Sequence, residues 1–158
     1  QAGMAFNGQQ SVRDIGPARD FYCGALGWRG WFDGRIGLTC NNMGVPLSQV
    51  ATQQQDVIIC ASGQDAAGLW HYGQVELVGW PGLGGHDFAA RAVPPNLGVL
   101  ALRIPVEDLD ARLGALAARG VATFSRPVTV TLEPWGRVRI AGVRTPDGVL
   151  IEFYQPLT

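Results

Sequence analysis

The sequence predicts an α+β protein built from two tandem βαβββ modules, and three observations carry that prediction. A strand end, an aspartate and a one-sided helical pattern occur twice, as "VRDIGPARDFYCGALGW" near the start and as "VEDLDARLGALAARG" 94 residues later. Both halves close alike, with "QVELVGWPG" at residues 74–82 and "GVLIEFYQP" at 148–156. Between each helix and its closing strand the chain has room for two further strands.

Taken in order, Asp14 is the expected cap of the first helix. Ile15, Ala18, Phe21, Tyr22, Ala25 and Leu26 then recur at helical spacing, and Gly27 ends the run. The second strand of this half falls somewhere around "WRGWFDG" and the third on "DVIICASG". Gly, Pro, Asn and Gln without a sustained period predict a long loop over about residues 34–56, suited to a functional opening. A Gly- and Pro-rich linker follows the closing strand, so the expected organisation is a first module at 1–82, a linker at 83–95 and a second module at 96–158. In the second half Asp108 caps a helix carrying Leu109, Leu113, Leu116 and Ala117, and Gly120 ends it. "ATFSRPVTV" and "GRVRIAGVR" read as strands, and "TPDG" as the turn that makes the last two strands a hairpin.

Composition bounds the functional classes. A chain of 158 residues, 47% hydrophobic, 16% charged and with a net charge of −1, has room for a core and a pocket but lacks the basic surplus that draws nucleic acid. No apolar run approaches the ~20 residues that cross a bilayer, so no membrane partner is expected and the protein is placed in the cytoplasm. Cys23, Cys40 and Cys60 have no metal-ligand spacing and read as reduced, buried, small side chains.

Strand alternation then directs attention to two carboxylates. In "GVLIEFYQ" a period of two sets Val149, Ile151 and Phe153 against the helix and turns Leu150, Glu152 and Tyr154 to the other face. The same rule applied to "GLWHYGQVELVGW" separates Val75 and Leu77 from Trp70, Tyr72, Gln74, Glu76, Val78 and Trp80. It turns His71 away from Glu76, and His86 falls in the linker. A carboxylate in a dry core would cost several kcal/mol, so a wet or ligand-lined face is expected around Glu76 and Glu152.

The paired βαβββ halves, the phrase "ARDFYCGALGW", the stretch "LRIPVEDLDARLGALAARGV" and the ending "TPDGVLIEFYQP" resemble the vicinal oxygen chelate superfamily, which holds glyoxalase I, bleomycin-resistance proteins and extradiol dioxygenases. The resemblance covers nearly the whole chain. It implies a cupped mixed sheet around a cavity, with helices on the outer face and a homodimeric assembly. It also implies four metal-ligand positions on the first and fourth strands of each half, which here are Asn7, Glu76, Ala101 and Glu152. Ala101 has no donor atom and Asn7 offers only a neutral oxygen, so no metal site and no cofactor is expected.

Capture of an aromatic or polycyclic small molecule is the expected function, in the manner of resistance or sequestration proteins. The expected lining comprises Asn7, Trp31, Trp70, Tyr72, Gln74, Trp80, Ala101, Arg103, Trp135 and Tyr154, which offer stacking area and polar anchors. Glu152 has an alternative structural role, hydrogen-bonded to Arg103, Arg137 or Arg139. Two alternative functions stand beside capture. One is a metal-independent isomerase or lyase with Glu76 or Glu152 as catalytic general base, and the other a metal-dependent lyase or dioxygenase.

Overall fold

The computed structural model describes residues 7–37, 54–93, 95–96 and 101–157. The chain divides into two compact units, Gln1–Gly85 and His86–Thr158. Each unit holds one four-stranded mixed sheet with the same topology.

In the first unit β1 (Asn7–Val12) leads to α1 (Ile15–Arg19), which continues as a π-helical segment, Asp20–Ala25. Three strands follow, β2 (Arg29–Gly37), β3 (Gln54–Ala61) and β4 (Gln74–Gly79), and the sheet order is β1-β4-β3-β2. The second unit repeats this with β5 (Ala101–Pro105), α2 (Leu109–Ala117), β6 (Val128–Leu132), β7 (Gly136–Arg144) and β8 (Leu150–Pro156), in the order β5-β8-β7-β6. In both sheets the first and last strands pair parallel and the remaining pairs are antiparallel. Two tandem βαβββ modules are therefore present.

Both aspartate caps form. Asp14 is extended (φ −135°) and accepts from the Gly16 amide at 3.0 Å, and Asp108 (φ −134°) accepts from the Ala111 amide at 2.9 Å. Gly27 and Gly120 end the two helical segments at φ 71° and 78°, the left-handed region where a Cβ is penalised. The first helix is not uniform, however. The Leu26 amide reaches back five residues to the Phe21 carbonyl (2.9 Å), so the expected α-helix is more widely wound in its second half. Its apolar stripe is still buried from Ala18 to Leu26, with Ile15 half-buried, and the Tyr22 hydroxyl meets Gln10 of β1 at 2.9 Å.

The helix-facing layer of the first sheet is made of Ile58, Cys60, Val75 and Leu77, none more than 2% exposed. In the second, Ala141, Val143, Ile151 and Phe153 meet Leu109 and Leu116, and each large side chain buried there contributes about 1.5–3 kcal/mol. Arg139 donates to both oxygens of Asp110 (2.8 and 2.9 Å), tying β7 to the first turn of α2 and holding that carboxyl below its usual range.

Several expected boundaries differ. Residues 34–37 and 54–56, assigned above to the long loop, are strand. Arg35 and Asp56 face each other across β2 and β3 with two hydrogen bonds of 2.6 and 2.9 Å, and this long-range pairing overrides the loop-like composition. The rest of that loop lies outside the described residues. "ATFSRPVTV" contributes only its last three residues to β6, because Phe124 and Ser125 bond to the Gly142 carbonyl before the strand begins. The linker at 83–95 contains a 3-10 turn, Ala89–Arg91, and from His86 onward it groups with the second unit. Cys60 is buried but Cys23 is half-buried; their Sγ atoms are 3.6 Å apart as free thiols, and burial pushes the Cys60 thiol well above its ordinary range. Cys40 lies outside the described residues.

Candidate functional site

The register of the first sheet turns Asn7 and Gln9 of β1, Gln74 and Glu76 of β4, and Val57 and Ile59 of β3 to the face opposite α1. Asn7 donates from Nδ2 to Glu76 Oε2 at 2.8 Å, and both residues are half-buried. The carboxylate only accepts, so the amide nitrogen must be the atom that faces it. Among the described residues Glu76 has no ion pair. Gln74, 2% exposed, accepts at Oε1 from Trp31 Nε1 at 2.9 Å. Trp31 occupies the bulge between Gly30 and Phe32 on the edge strand β2, which aims its indole across the sheet end. It stacks on Trp70 with ring centroids 6.3 Å apart and planes at 21°. Asn7, Trp31, Trp70, Gln74 and Glu76 are thus brought together.

Tyr72 and Trp80 are not part of this group. The alternation expected through residues 70–80 starts only at Gln74, because Gly73 turns the backbone at φ 77°. Tyr72 is consequently 61% exposed, and Trp70 reaches its stacked position from an isolated bridge to Gln64 rather than from β4. Trp80 lies beyond the strand end, its carbonyl accepting from Leu83 at 3.2 Å. His71 likewise sits outside β4, exposed, 3.3 Å from the Ser62 hydroxyl, and His86 packs beside Phe88.

One residue of this face was not legible in the sequence. Gln55 of β3 shares the side of Val57 and Ile59, is fully buried, and neither its amide nitrogen nor its oxygen has a partner among the described residues. It belongs to a "QQQD" tract whose composition reads as loop.

In the second sheet Ala101, Arg103, Glu152 and Tyr154 share the face opposite α2. Arg103 stands directly across from Glu152 and donates from Nε to Oε2 at 2.7 Å, the first of the three arginine partners expected for a structural role. Tyr154 is 5% exposed and its ring lies 5.2 Å from that of Trp135, which sits in the β6–β7 turn. Arg144 lies over the Phe124 ring at 4.6 Å.

The four positions that the resemblance implies for a divalent ion do not fit one here. Ala101 has no donor, Glu152 is engaged by a guanidinium, and Asn7 turns its amide nitrogen to Glu76. Among the described residues no three His, Cys, Asp or Glu side chains cluster as a metal site would require. Among them, too, no helix is long and apolar enough to cross a membrane.

Comparison with known proteins agrees with this architecture. The pattern of the Glyoxalase/Bleomycin resistance protein/Dioxygenase superfamily matches residues 8–153. No curated protein matches the chain. Among solved structures, a glyoxalase family protein from Bacillus cereus is similar at 18% identity and a TM-score of 0.71, over 100% of this chain and 97% of that one. TnmS3, an antibiotic binding protein from a Streptomyces species, aligns at 22% identity and a TM-score of 0.58, over 99% of this chain and 98% of its own. A glyoxalase I variant from Zea mays aligns at 15% identity and a TM-score of 0.66, with 98% of this chain covering 47% of that one. At these identities the structures share the fold and nothing finer follows. With the family pattern spanning nearly the whole length and two βαβββ modules in place, the chain belongs to the Glyoxalase/Bleomycin resistance protein/Dioxygenase superfamily.

Proposed function

We propose that this protein is a metal-independent small-molecule binding protein that holds an aromatic or polycyclic ligand, a role in resistance or sequestration. The observation that carries the reading is the stacked Trp31–Trp70 pair, held by the Trp31–Gln74 hydrogen bond beside the polar Asn7–Glu76 pair. Flat apolar area next to a few fixed polar groups is what capture of a planar molecule requires. The second module offers a similar combination in Trp135, Tyr154, Arg103 and Glu152. The antibiotic-binding relative supports the same direction by fold. A homodimer in the cytoplasm is part of this proposal.

Conversion of the ligand by a general base is the second reading. It rests on Glu76 rather than Glu152, since among the described residues Glu76 has no cationic partner and Glu152 is held by Arg103. The test is titration of tryptophan fluorescence with planar probes, followed by mass spectrometry of the recovered probe, on protein whose metal content has been measured. Saturable quenching with the probe recovered unchanged supports capture. A chemically altered probe transfers the assignment to catalysis, and a stoichiometric transition metal overturns both readings.

A further inference from the structure

The two closing glutamates occupy the same rung of their modules with opposite electrostatic outcomes. In the second module the residue paired across from Glu152 is Arg103, and the guanidinium neutralises the carboxylate at 2.7 Å. In the first module the residue paired across from Glu76 is Gln9, which carries no charge. The partner of Glu76 is the neutral amide of Asn7, and among the described residues no cation pairs with it. All twelve basic residues of the chain are arginines and all lie within the described residues. In this unit Arg19 is committed to Asp33 (2.7 Å) and Arg35 to Asp56 (2.6 Å). A half-buried carboxylate has lost part of its hydration, and one neutral donor replaces only part of that loss.

We infer that a ligand supplies the missing charge: Glu76 receives a protonated amine whose organic part lies against Trp31 and Trp70. This deepens the capture reading above and rests on it. The geometry favours an ammonium in particular. With Asn7 Nδ2 donating to Glu76 Oε2, two acceptors stay open among the described residues, Glu76 Oε1 and Asn7 Oδ1, and an alkylammonium brings three N–H groups. Glu76 and Gln74 are alternate residues of one strand, about 7 Å apart, and Gln74 fixes Trp31. The carboxylate and the glutamine that holds the 38% exposed indole therefore stand side by side on one face of the sheet.

The experiment is calorimetric titration of the full chain with three naphthyl probes matched in shape: naphthylmethylammonium, naphthylmethanol and naphthoate. Wild-type protein is expected to bind the ammonium about tenfold or more tighter than the alcohol, with the carboxylate weakest. Glu76→Gln keeps a hydrogen-bonding side chain without the charge, and Gln9→Arg places an internal guanidinium where the second module has one. Both variants are expected to lose the preference, binding the ammonium no tighter than the alcohol, and melting curves verify that each is folded. Equal affinity of wild type for all three probes, or an ammonium preference that survives Glu76→Gln, overturns the inference and leaves the capture reading in place. Binding of none of the three overturns both.

Discussion

Arg103 and Glu152 meet across β5 and β8 with Nε and Oε2 2.7 Å apart, so the carboxylate on the fourth strand of the second module is part of an ion pair. The pair is partly open to solvent, the two side chains being 46% and 25% exposed. A double-mutant cycle with Arg103→Gln and Glu152→Gln is expected to give a coupling free energy of about 0.2–1 kcal/mol in urea unfolding. A coupling of several kcal/mol would show a buried, structure-determining pair instead.

The Trp31–Gln74 hydrogen bond makes a more demanding prediction. Trp31→Phe keeps an aromatic ring but removes Nε1, leaving the oxygen of a 2% exposed glutamine without its donor. A loss of about 1–3 kcal/mol is expected, more than an exposed ring alone would explain. Adding Gln74→Leu to that variant should recover much of it, because the orphaned oxygen is then gone. Thermal or urea denaturation of the single and double variants measures both quantities.

Gln55 predicts a gain. Its amide is fully buried with both polar atoms unpaired among the described residues, so Gln55→Leu removes a desolvation cost while keeping most of the volume. Stabilisation of about 1–2 kcal/mol is expected in urea unfolding. A destabilised Gln55→Leu protein would mean that the amide is satisfied in solution.

The Arg35–Asp56 pair gives a pH signature. Hydrogen bonding from Arg35, with its charge, holds the Asp56 carboxyl below its ordinary value despite opposing desolvation. A lowered folded-state pKa contributes stability that is fully present above the unfolded carboxylate range and is lost as pH falls through the lowered value. The melting temperature of Asp56→Asn should therefore lie below that of wild type by no more than about 3 °C at neutral pH. The gap should stay constant down to about pH 5 and close toward pH 3. A gap that widens on acidification would reverse the sign and refute the assignment.

Local chemistry made much of this fold legible. Asp14 and Asp108 cap through their own side chains, Gly27, Gly120 and Gly148 need positive φ, and the period of two sorts Ile151 from Glu152 wherever the strand is unbroken. The failures arise where distant residues decide. Gly73 ends the alternation before Tyr72, Arg35 and Asp56 draw a loop-like tract into strands, and Trp31 joins the site through a bulge that no local pattern announces. Glu76 and Glu152 look alike in the sequence. Their difference lies in the residue across the ladder, Gln9 or Arg103, which only the pairing register identifies.

The position of β4 and β8 has a consequence for how the chain is made. Each module's last strand to be synthesised enters the interior of its sheet, between the first strand and the third. Until Gln74–Gly79 has left the ribosome, β1 has no neighbour and β3 has only one, so the first module acquires its order late and in a single step. The second depends in the same way on Leu150–Pro156. Loss of Leu150–Pro156 therefore removes a central strand rather than trimming an edge, and such a product would present two open sheet edges to the quality-control machinery of the cell.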